Sequence, residues 1–170
     1  QMLACLHAAM RVFPVILVAE GDFLTHEMQH NAVGRLFASH FGHPVDIVHT
    51  DSGAPYIPEF DGFISVSHCA TAVAVAISDR PVGIDVESPR YHKMRRVANK
   101  FISLSESLVT DIDSPTALAA TWCAKEAIYK LHGGKLFRTH VEIPFPLFKH
   151  ILTIKHAIKY TLAIAEIKDF

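Results

Sequence analysis

The alternation of hydrophobic and polar positions divides the first part of the chain into two strands and one long helix. Residues 11–19 are apolar and rich in β-branched side chains, which is typical of a strand. Residues 23–41 carry apolar side chains at helical spacing, and Gly42 follows as a helix stop. Residues 45–49 predict a second short strand, and Asp51-Ser52-Gly53 predicts a turn after it.

The middle of the chain has the pattern of three consecutive strands. Residues 63–67 alternate, with Ile64 and Val66 on one face and the remaining side chains on the other. Residues 71–77 are almost continuously apolar, which predicts a buried strand. Asp79-Arg80-Pro81 predicts a turn that leads into a strand over residues 82–87.

Beyond Pro89 the pattern becomes helical. Residues 91–101 form a basic helical segment, and residues 103–110 predict a second, short helix. Ser114-Pro115 combines a helix N-cap with proline at the first helical position, so a helix is predicted over residues 116–132, ended by Gly133-Gly134. Residues 141–170 alternate β-branched and polar side chains and predict closing strands.

This order of elements predicts an α+β fold of two similar halves, each a long helix packed on a small, mostly antiparallel sheet. The halves would meet near residues 79–82, which divides the chain into residues 1–80 and 81–170 within one compact unit. No glycine-rich nucleotide-binding fingerprint of the βαβ type is found.

Composition restricts the class of protein without identifying it. The chain has 170 residues, of which 50% are hydrophobic and 19% charged, as expected of a folding sequence. The net charge of -1 gives no general argument for nucleic acid or membrane as a partner. Three cysteines without a close pair favour a reducing compartment. We therefore expect a cytoplasmic protein with no membrane span and no secretion signal.

Two short segments carry the candidate chemistry. Asp85 and Glu87 are two apart in a predicted strand, so their side chains point the same way. Trp122, Glu126 and Lys130 share one face of the predicted helix at spacings of four. Three carboxylates are hard oxygen donors of the kind that Mg²⁺ prefers, and a lysine can neutralise a phosphate. Taken separately, each motif also occurs in purely structural settings, but together they predict a metal and phosphate site.

Four blocks of the sequence carry a resemblance to a known family. The chain resembles the 4′-phosphopantetheinyl transferases that activate nonribosomal peptide and polyketide synthases. The resemblance is strong over residues 63–134 and weaker around Arg35 and over residues 53–57. The four blocks, in chain order, are FISVSH at residues 63–68, PVGIDVE at 81–87, FISLSE at 101–106 and WCAKEAIYK at 122–130.

The resemblance implies an activity and a role for each matched residue. It implies transfer of phosphopantetheine from coenzyme A to a serine of an acyl or peptidyl carrier protein, with release of 3′,5′-ADP. Asp85, Glu87 and Glu126 match the Mg²⁺ positions of the family, and Lys130 matches a lysine that contacts the phosphates. Ser67 and His68 match a pair that contacts the nucleotide phosphate, Glu106 a candidate base, and Arg35 a phosphate-binding arginine.

The chain departs from the family pattern at three places. The family turn GKP is Gly53-Ala54-Pro55 here, so a lysine is missing. The serine-histidine pair continues as Cys69-Ala70 instead of with polar residues, and Thr25-His26-Glu27 replaces basic residues before the first helix. Loss of these cations predicts weaker binding of coenzyme A. A non-catalytic member that binds coenzyme A or a carrier protein is therefore the alternative.

A basic segment follows the acidic strand. The segment contains five cationic residues and no acidic residue. This composition predicts a positive face on which an acidic carrier protein could dock. A simply solvated helix is an equal alternative, and the segment lacks the aromatic residues expected of a nucleic-acid platform. We expect a monomer. The cations are Arg90, Lys93, Arg95, Arg96 and Lys100.

A rival motif occupies the first helix. His26-Glu27-Met28-Gln29-His30 matches the HExxH pattern of zinc metallopeptidases. The longer form of the pattern fails, because Val33 and Leu36 stand at the glycine and third-histidine positions. With 12 histidines in the chain, a chance match is easy, and a solvated helix face is the favoured interpretation.

Overall fold

A computed structural model describes residues 14–88, 91–134 and 150–167, and all structural statements below refer to these ranges. The elements follow one another as strand, helix, five strands, three helices and two strands. They are β1 Val15–Glu20, α1 His26–Phe41, β2 Val48–His49, β3 Pro55–Tyr56, β4 Phe63–His68, β5 Ala72–Ser78, β6 Val82–Glu87, α2 Tyr91–Val97, α3 Leu104–Ser107, α4 Pro115–Leu131, β7 His150–His156 and β8 Thr161–Ile167, with a 3₁₀ turn at Ala98–Lys100 between α2 and α3.

All strand pairs are antiparallel. The first sheet has the order β1-β5-β4, the second has the order β6-β8-β7, and β2 pairs with β3 alone. The long helix α1 packs on the first sheet and α4 on the second. The predicted α+β class, with a long helix on a small antiparallel sheet in each half, is confirmed.

Strand β5 explains how the layers stack. Its valines and Ile77 belong to the core beneath α1, whereas its alternate residues Ala72, Ala74 and Ala76 pack against the second sheet. Because successive side chains of a strand point to opposite faces, one strand serves both interfaces. Alanine on the inner face lets the two sheets approach closely, and the order of layers is α1, first sheet, second sheet, α4.

Serine side chains join the two sheets along β4 and β6. The Oγ of Ser65 accepts a hydrogen bond from the amide of Ile84 at 3.0 Å, and the Oγ of Ser67 accepts one from Val86 at 3.1 Å. Both strands lie at the edge of their own sheet, so these hydroxyls satisfy amides that no neighbouring strand reaches. The contact between β4 of the first sheet and β6 of the second sheet is therefore polar, and these hydrogen bonds fix its register.

Helix boundaries follow the caps. Thr25 accepts a hydrogen bond from Met28 at 3.2 Å, so α1 begins at His26 and not at the predicted residue 23. Gly42 ends α1 with a φ of 80°, a left-handed conformation that favours glycine. Ser114 caps α4 as predicted, and the helix begins at Pro115.

Several predicted elements differ in extent. The segment 91–101 divides into α2 and the 3₁₀ turn, and the segment 103–110 keeps one helical turn as α3. Strand β3 carries no alternation in the sequence and was not predicted. Residues 11–13, 141–149 and 168–170 of the predicted strands lie outside the described residues. The division at residue 80 stays a prediction.

Among the described helices, none combines the length and the apolar character required to cross a lipid bilayer.

Candidate functional site

A cavity of about 370 Å³ lies where β4, β6 and α4 meet. Most of its lining side chains are those that the sequence singled out, and they come from both halves of the fold. They are Ser67 and His68 from β4, Asp85 and Glu87 from β6, and Trp122, Glu126 and Lys130 from α4.

The alternation of β6 directs the carboxylates to this cavity. Ile84 and Val86 point into the core between the sheets, so Asp85 and Glu87 point to the opposite side, toward α4. Gly83 lies on that same side, where a Cβ atom would overlap the backbone carbonyl of Ala127. Only glycine therefore lets β6 pack directly against α4, and this close packing brings the strand and helix side chains together.

Asp85 is buried and held by two groups. Its Oδ1 accepts a hydrogen bond from the hydroxyl of Ser67 at 2.8 Å and one from the ammonium of Lys130 at 2.7 Å. Lys130 also donates to the carbonyl of Ile84 at 3.1 Å and remains partly exposed to the cavity. The lysine is thus anchored beside the carboxylate with part of its charge open to a ligand.

The other two carboxylates are buried as well. The Oε1 of Glu87 accepts hydrogen bonds from the amide of Ser88 at 2.9 Å and from its hydroxyl at 3.3 Å. Among the described residues, no three side chains of the His, Cys, Asp or Glu type are arranged closely enough to hold a metal ion. The donor chemistry fits Mg²⁺, which takes hard oxygens and commonly combines one or two carboxylates with waters and substrate phosphates.

His68 lies between Lys130 and the start of α1. Partial burial lowers the pKa of His68, and the positive charges of Lys130 and His26 lower it further, against an opposing effect of Asp85. The rings of His26 and His68 are 6.4 Å apart in an edge-on arrangement. A phosphate bound beside this imidazole would favour its protonated form.

A second cavity of about 320 Å³ adjoins the first and shares His68 and Lys130 with it. Its further lining includes Ala54 from the turn before β3, and Tyr129 and Gly134 from the end of α4. No role for Tyr129 was predicted from the sequence. The one feature that could have indicated a role is its position next to Lys130 in the chain. Ala54, where the resemblance implies a lysine, therefore faces a cavity that shares His68 and Lys130 with the candidate site.

Glu106 lies outside the lining of both cavities. Its Oε2 accepts hydrogen bonds from the ammonium of Lys125 at 2.7 Å and from the amide of Ser103 at 2.7 Å. The side chains of Lys125 and Glu106 are only 2% and 1% exposed. The role of Glu106 as a base stays a prediction, and the pair with Lys125 was not found from the sequence, although both residues belong to matched blocks.

The remaining predicted residues lie apart from the cavity. Arg35 is exposed on α1 and lines neither cavity. Lys93, Arg95, Arg96 and Lys100 are exposed on α2 and the 3₁₀ turn, as predicted for a basic face, and Arg90 lies outside the described residues.

The HExxH residues remain on the exposed first turns of α1. The rings of His26 and His30 stack with centroids 6.4 Å apart. A zinc site of this type needs a third ligand, and within the described residues His26 and His30 belong to no group of three histidine, cysteine, aspartate or glutamate side chains that could hold a metal ion.

Residues 81–165 match the family model of the 4′-phosphopantetheinyl transferase superfamily. Since this range is half of the chain, the protein belongs to that superfamily. Transfer of phosphopantetheinyl groups from coenzyme A to carrier proteins is the general chemistry of the superfamily.

Two curated relatives are similar to part of the chain. Enterobactin synthase component D of Salmonella typhimurium (strain LT2) is 32% identical over 78 residues, and the protein of that name from Salmonella typhi gives the same values. The alignment covers 44% of this chain but only 33% of either relative. The match thus spans about a third of the relatives' length.

Proposed function

We propose that the protein is a Mg²⁺-dependent enzyme that transfers phosphopantetheine from coenzyme A to a serine of an acyl or peptidyl carrier protein. The observation that carries this proposal is the shared cavity of Ser67, His68, Asp85, Glu87, Glu126 and Lys130. Membership of the superfamily gives the general chemistry, and the cavity supplies the charges that this chemistry needs.

The reaction joins the carrier's serine oxygen to the phosphorus that bears pantetheine and breaks that phosphorus's bond to the bridging oxygen of the diphosphate. The serine hydroxyl would give its proton to a base, the role that the resemblance implies for Glu106, and 3′,5′-ADP would leave with the negative charge of the broken bond. One or two carboxylates from the set Asp85, Glu87 and Glu126, with waters in the remaining positions, would hold Mg²⁺, and the bound ion would screen the charge of the diphosphate. Lys130 would contact the phosphates and stabilise the leaving group, because its ammonium lies beside Asp85 and opens to the cavity.

The second cavity would take the nucleotide part of coenzyme A. His68 and Lys130 line both cavities, which supports this assignment. His68 would then lie at a phosphate of the nucleotide, as the resemblance implies. Ala54 offers no cation there, so binding would depend more strongly on His68 and Lys130.

Carrier loading tests the proposal directly. A purified carrier protein incubated with the chain, coenzyme A and Mg²⁺ should gain the mass of one phosphopantetheine group. Asp85→Asn should lower the loading rate at least about a hundredfold, the order of loss when one electrostatic stabiliser is removed. Asp79→Asn changes an exposed aspartate at the turn before β6 and should load at the original rate.

The alternative is a non-catalytic member that binds coenzyme A or a carrier protein. The missing lysine at Ala54 is the observation behind this alternative. A zinc peptidase is the third candidate, for which stoichiometric zinc lost in His30→Ala would be the sign. Binding of coenzyme A without transfer to any carrier would support the non-catalytic alternative and contradict the proposed activity.

A further inference from the structure

The ammonium of Lys130 lies in direct contact with one of the carboxylates that are proposed to hold Mg²⁺. It donates to the Oδ1 of Asp85 at 2.7 Å and to the carbonyl of Ile84 at 3.1 Å. The hydroxyl of Ser67 donates to the same Oδ1 at 2.8 Å. Since a carboxylate oxygen has about two lone pairs, these two donors use the hydrogen-bonding capacity of Oδ1. A metal ion would therefore have to replace a donor at Oδ1 or bind Oδ2 next to an ammonium.

The positive charge of Lys130 acts throughout the cavity. Burial lowers the pKa of His68, and the charge of Lys130 is the next cause in the same direction. Lys130 lines the same cavity as His68 and the carboxylates of Asp85, Glu87 and Glu126. Because like charges repel more strongly where little water screens them, a divalent cation at any of these carboxylates would bind against the charge of Lys130.

The ammonium can leave Asp85, whereas the carboxylate is fixed. The side chain of Asp85 is 9% exposed and that of Lys130 is 28% exposed. Ser67, the other donor to Asp85, is itself held by the amide of Val86 at 3.1 Å. A lysine carries its charge on a flexible four-carbon stem and can turn toward another anion. A bound diphosphate supplies such an anion, so this exchange of partners is easier when coenzyme A is present.

We propose that Lys130 competes with Mg²⁺ for Asp85, and that a bound diphosphate relieves the competition by drawing the ammonium to its phosphates. The protein alone then binds the metal weakly, and its complex with coenzyme A binds the metal tightly. By linkage, the metal strengthens the binding of coenzyme A by the same factor. This inference rests on the proposed function, and it adds a control of metal binding that the transfer chemistry does not require.

Removal of the charge tests the competition. Lys130→Met should lower the Kd for Mn²⁺ at least about tenfold in the absence of coenzyme A, measured from the electron paramagnetic resonance signal of free Mn²⁺. The titration is carried out at about pH 8, well above the ordinary pKa of a carboxyl group. A variant with a damaged fold would bind the metal more weakly, so a lower Kd cannot arise from destabilisation.

Two further variants are the controls. Lys130→Arg keeps the positive charge and should bind Mn²⁺ as weakly as the wild type. Lys155→Met removes an exposed cation of β7 that lines neither cavity, and it should leave the Kd for Mn²⁺ unchanged. Equal tightening in Lys130→Met and Lys155→Met would overturn the proposal, because the effect would then come from net charge alone.

The coupling between the two ligands is the second measurement. Calorimetry gives the Kd for coenzyme A with and without Mn²⁺, after correction for Mn²⁺ bound by free coenzyme A. The metal should lower this Kd by a factor about tenfold larger in the wild type than in Lys130→Met. Equal coupling in both proteins overturns the proposal, and so does an affinity of Lys130→Met for Mn²⁺ that equals or falls below that of the wild type.

Carrier loading separates this inference from the proposed function. Equal Mn²⁺ affinities together with Mg²⁺-dependent loading by the wild type overturn the competition and leave the proposed function standing. The expected difference in Mn²⁺ affinity without loading of any carrier supports the competition and contradicts the proposed activity.

Discussion

At the scale of single residues, Ser67 shows how one hydroxyl serves both the fold and the site. It accepts a hydrogen bond from Val86 and donates one to Asp85, so it fixes a strand and orients a carboxylate at once. The sequence resemblance assigned Ser67 to the nucleotide phosphate. Its bond to Asp85 shows a positioning contact that no sequence pattern gives, because the two residues are 18 apart in the chain.

Ser67→Ala should therefore lower both stability and activity. Removal of the hydroxyl leaves a buried amide at Val86 without its acceptor, at a cost of about 1–3 kcal/mol in the free energy of unfolding. Asp85 also loses the hydroxyl donor to its Oδ1, so we expect a lower kcat. Urea unfolding and carrier loading measure the two effects.

Ser65→Ala is the matched control for this change. Ser65 accepts a hydrogen bond from Ile84 in the same way, but Asp85 is held by Ser67. The two variants should lose similar stability, and only Ser67→Ala should lose kcat. The kcat is compared at saturating coenzyme A, because Ser65 lines the second cavity and its loss could change the KM for coenzyme A. An equal loss of kcat in both variants would show that the effect comes from the strand join and not from Asp85.

At the scale of elements, the buried pair of Glu106 and Lys125 connects α3 to α4. The sequence blocks FISLSE and WCAKEAIYK each supply one partner of this pair. Glu126 follows Lys125 on α4 and lines the cavity, so the pair helps to fix the helix that carries the site. Spacing along one helix could predict the common face of Trp122, Glu126 and Lys130, but a contact between separate helices could not be derived that way.

Lys125→Met should destabilise the protein strongly. It removes the ammonium beside a carboxylate that is 1% exposed, and breaking one side of a buried ion pair costs about 3–5 kcal/mol. The double variant Lys125→Met/Glu106→Leu should recover most of the free energy of unfolding, because the buried charge is then absent. Denaturant unfolding of the single and double variants tests this.

The same double variant tests whether Glu106 is the base that takes the serine proton. If Glu106 takes the serine proton, the double variant should regain stability while its kcat stays low across the pH range. If Glu106 acts only through its position, kcat should recover with stability. A double variant as unstable as Lys125→Met would contradict the ion-pair argument itself.

At the scale of the whole molecule, the candidate site lies between the halves that the sequence separated. Alternation in β6 predicted that Asp85 and Glu87 share a face, and the structure agrees. Three further features depend on contacts between segments that are distant in the chain, so local spacing could not predict them. They are the contacts of the β4 serines, the cavity beside Ala54 and the order of the layers. Arg35 was placed by resemblance alone, and it lies on an exposed face of α1 because Ala32, Val33 and Phe37 occupy the inner one.

A final prediction follows from the packing of the two sheets on β5. Ala74 is buried against the second sheet and pairs with Ser67 in the register of β4, whereas its neighbour Val75 faces α1. Ala74→Val should push the sheets apart and cost about 1–3 kcal/mol, as overpacking does. It should also lower kcat, because Ser67 and Asp85 belong to different sheets. Val75→Ile enlarges the other face and should lower stability with kcat preserved. Loading rates of both variants are measured well below their unfolding temperatures, where each protein is folded. Equal losses of kcat in Ala74→Val and Val75→Ile would mean that the distance between the sheets does not determine the geometry of the site.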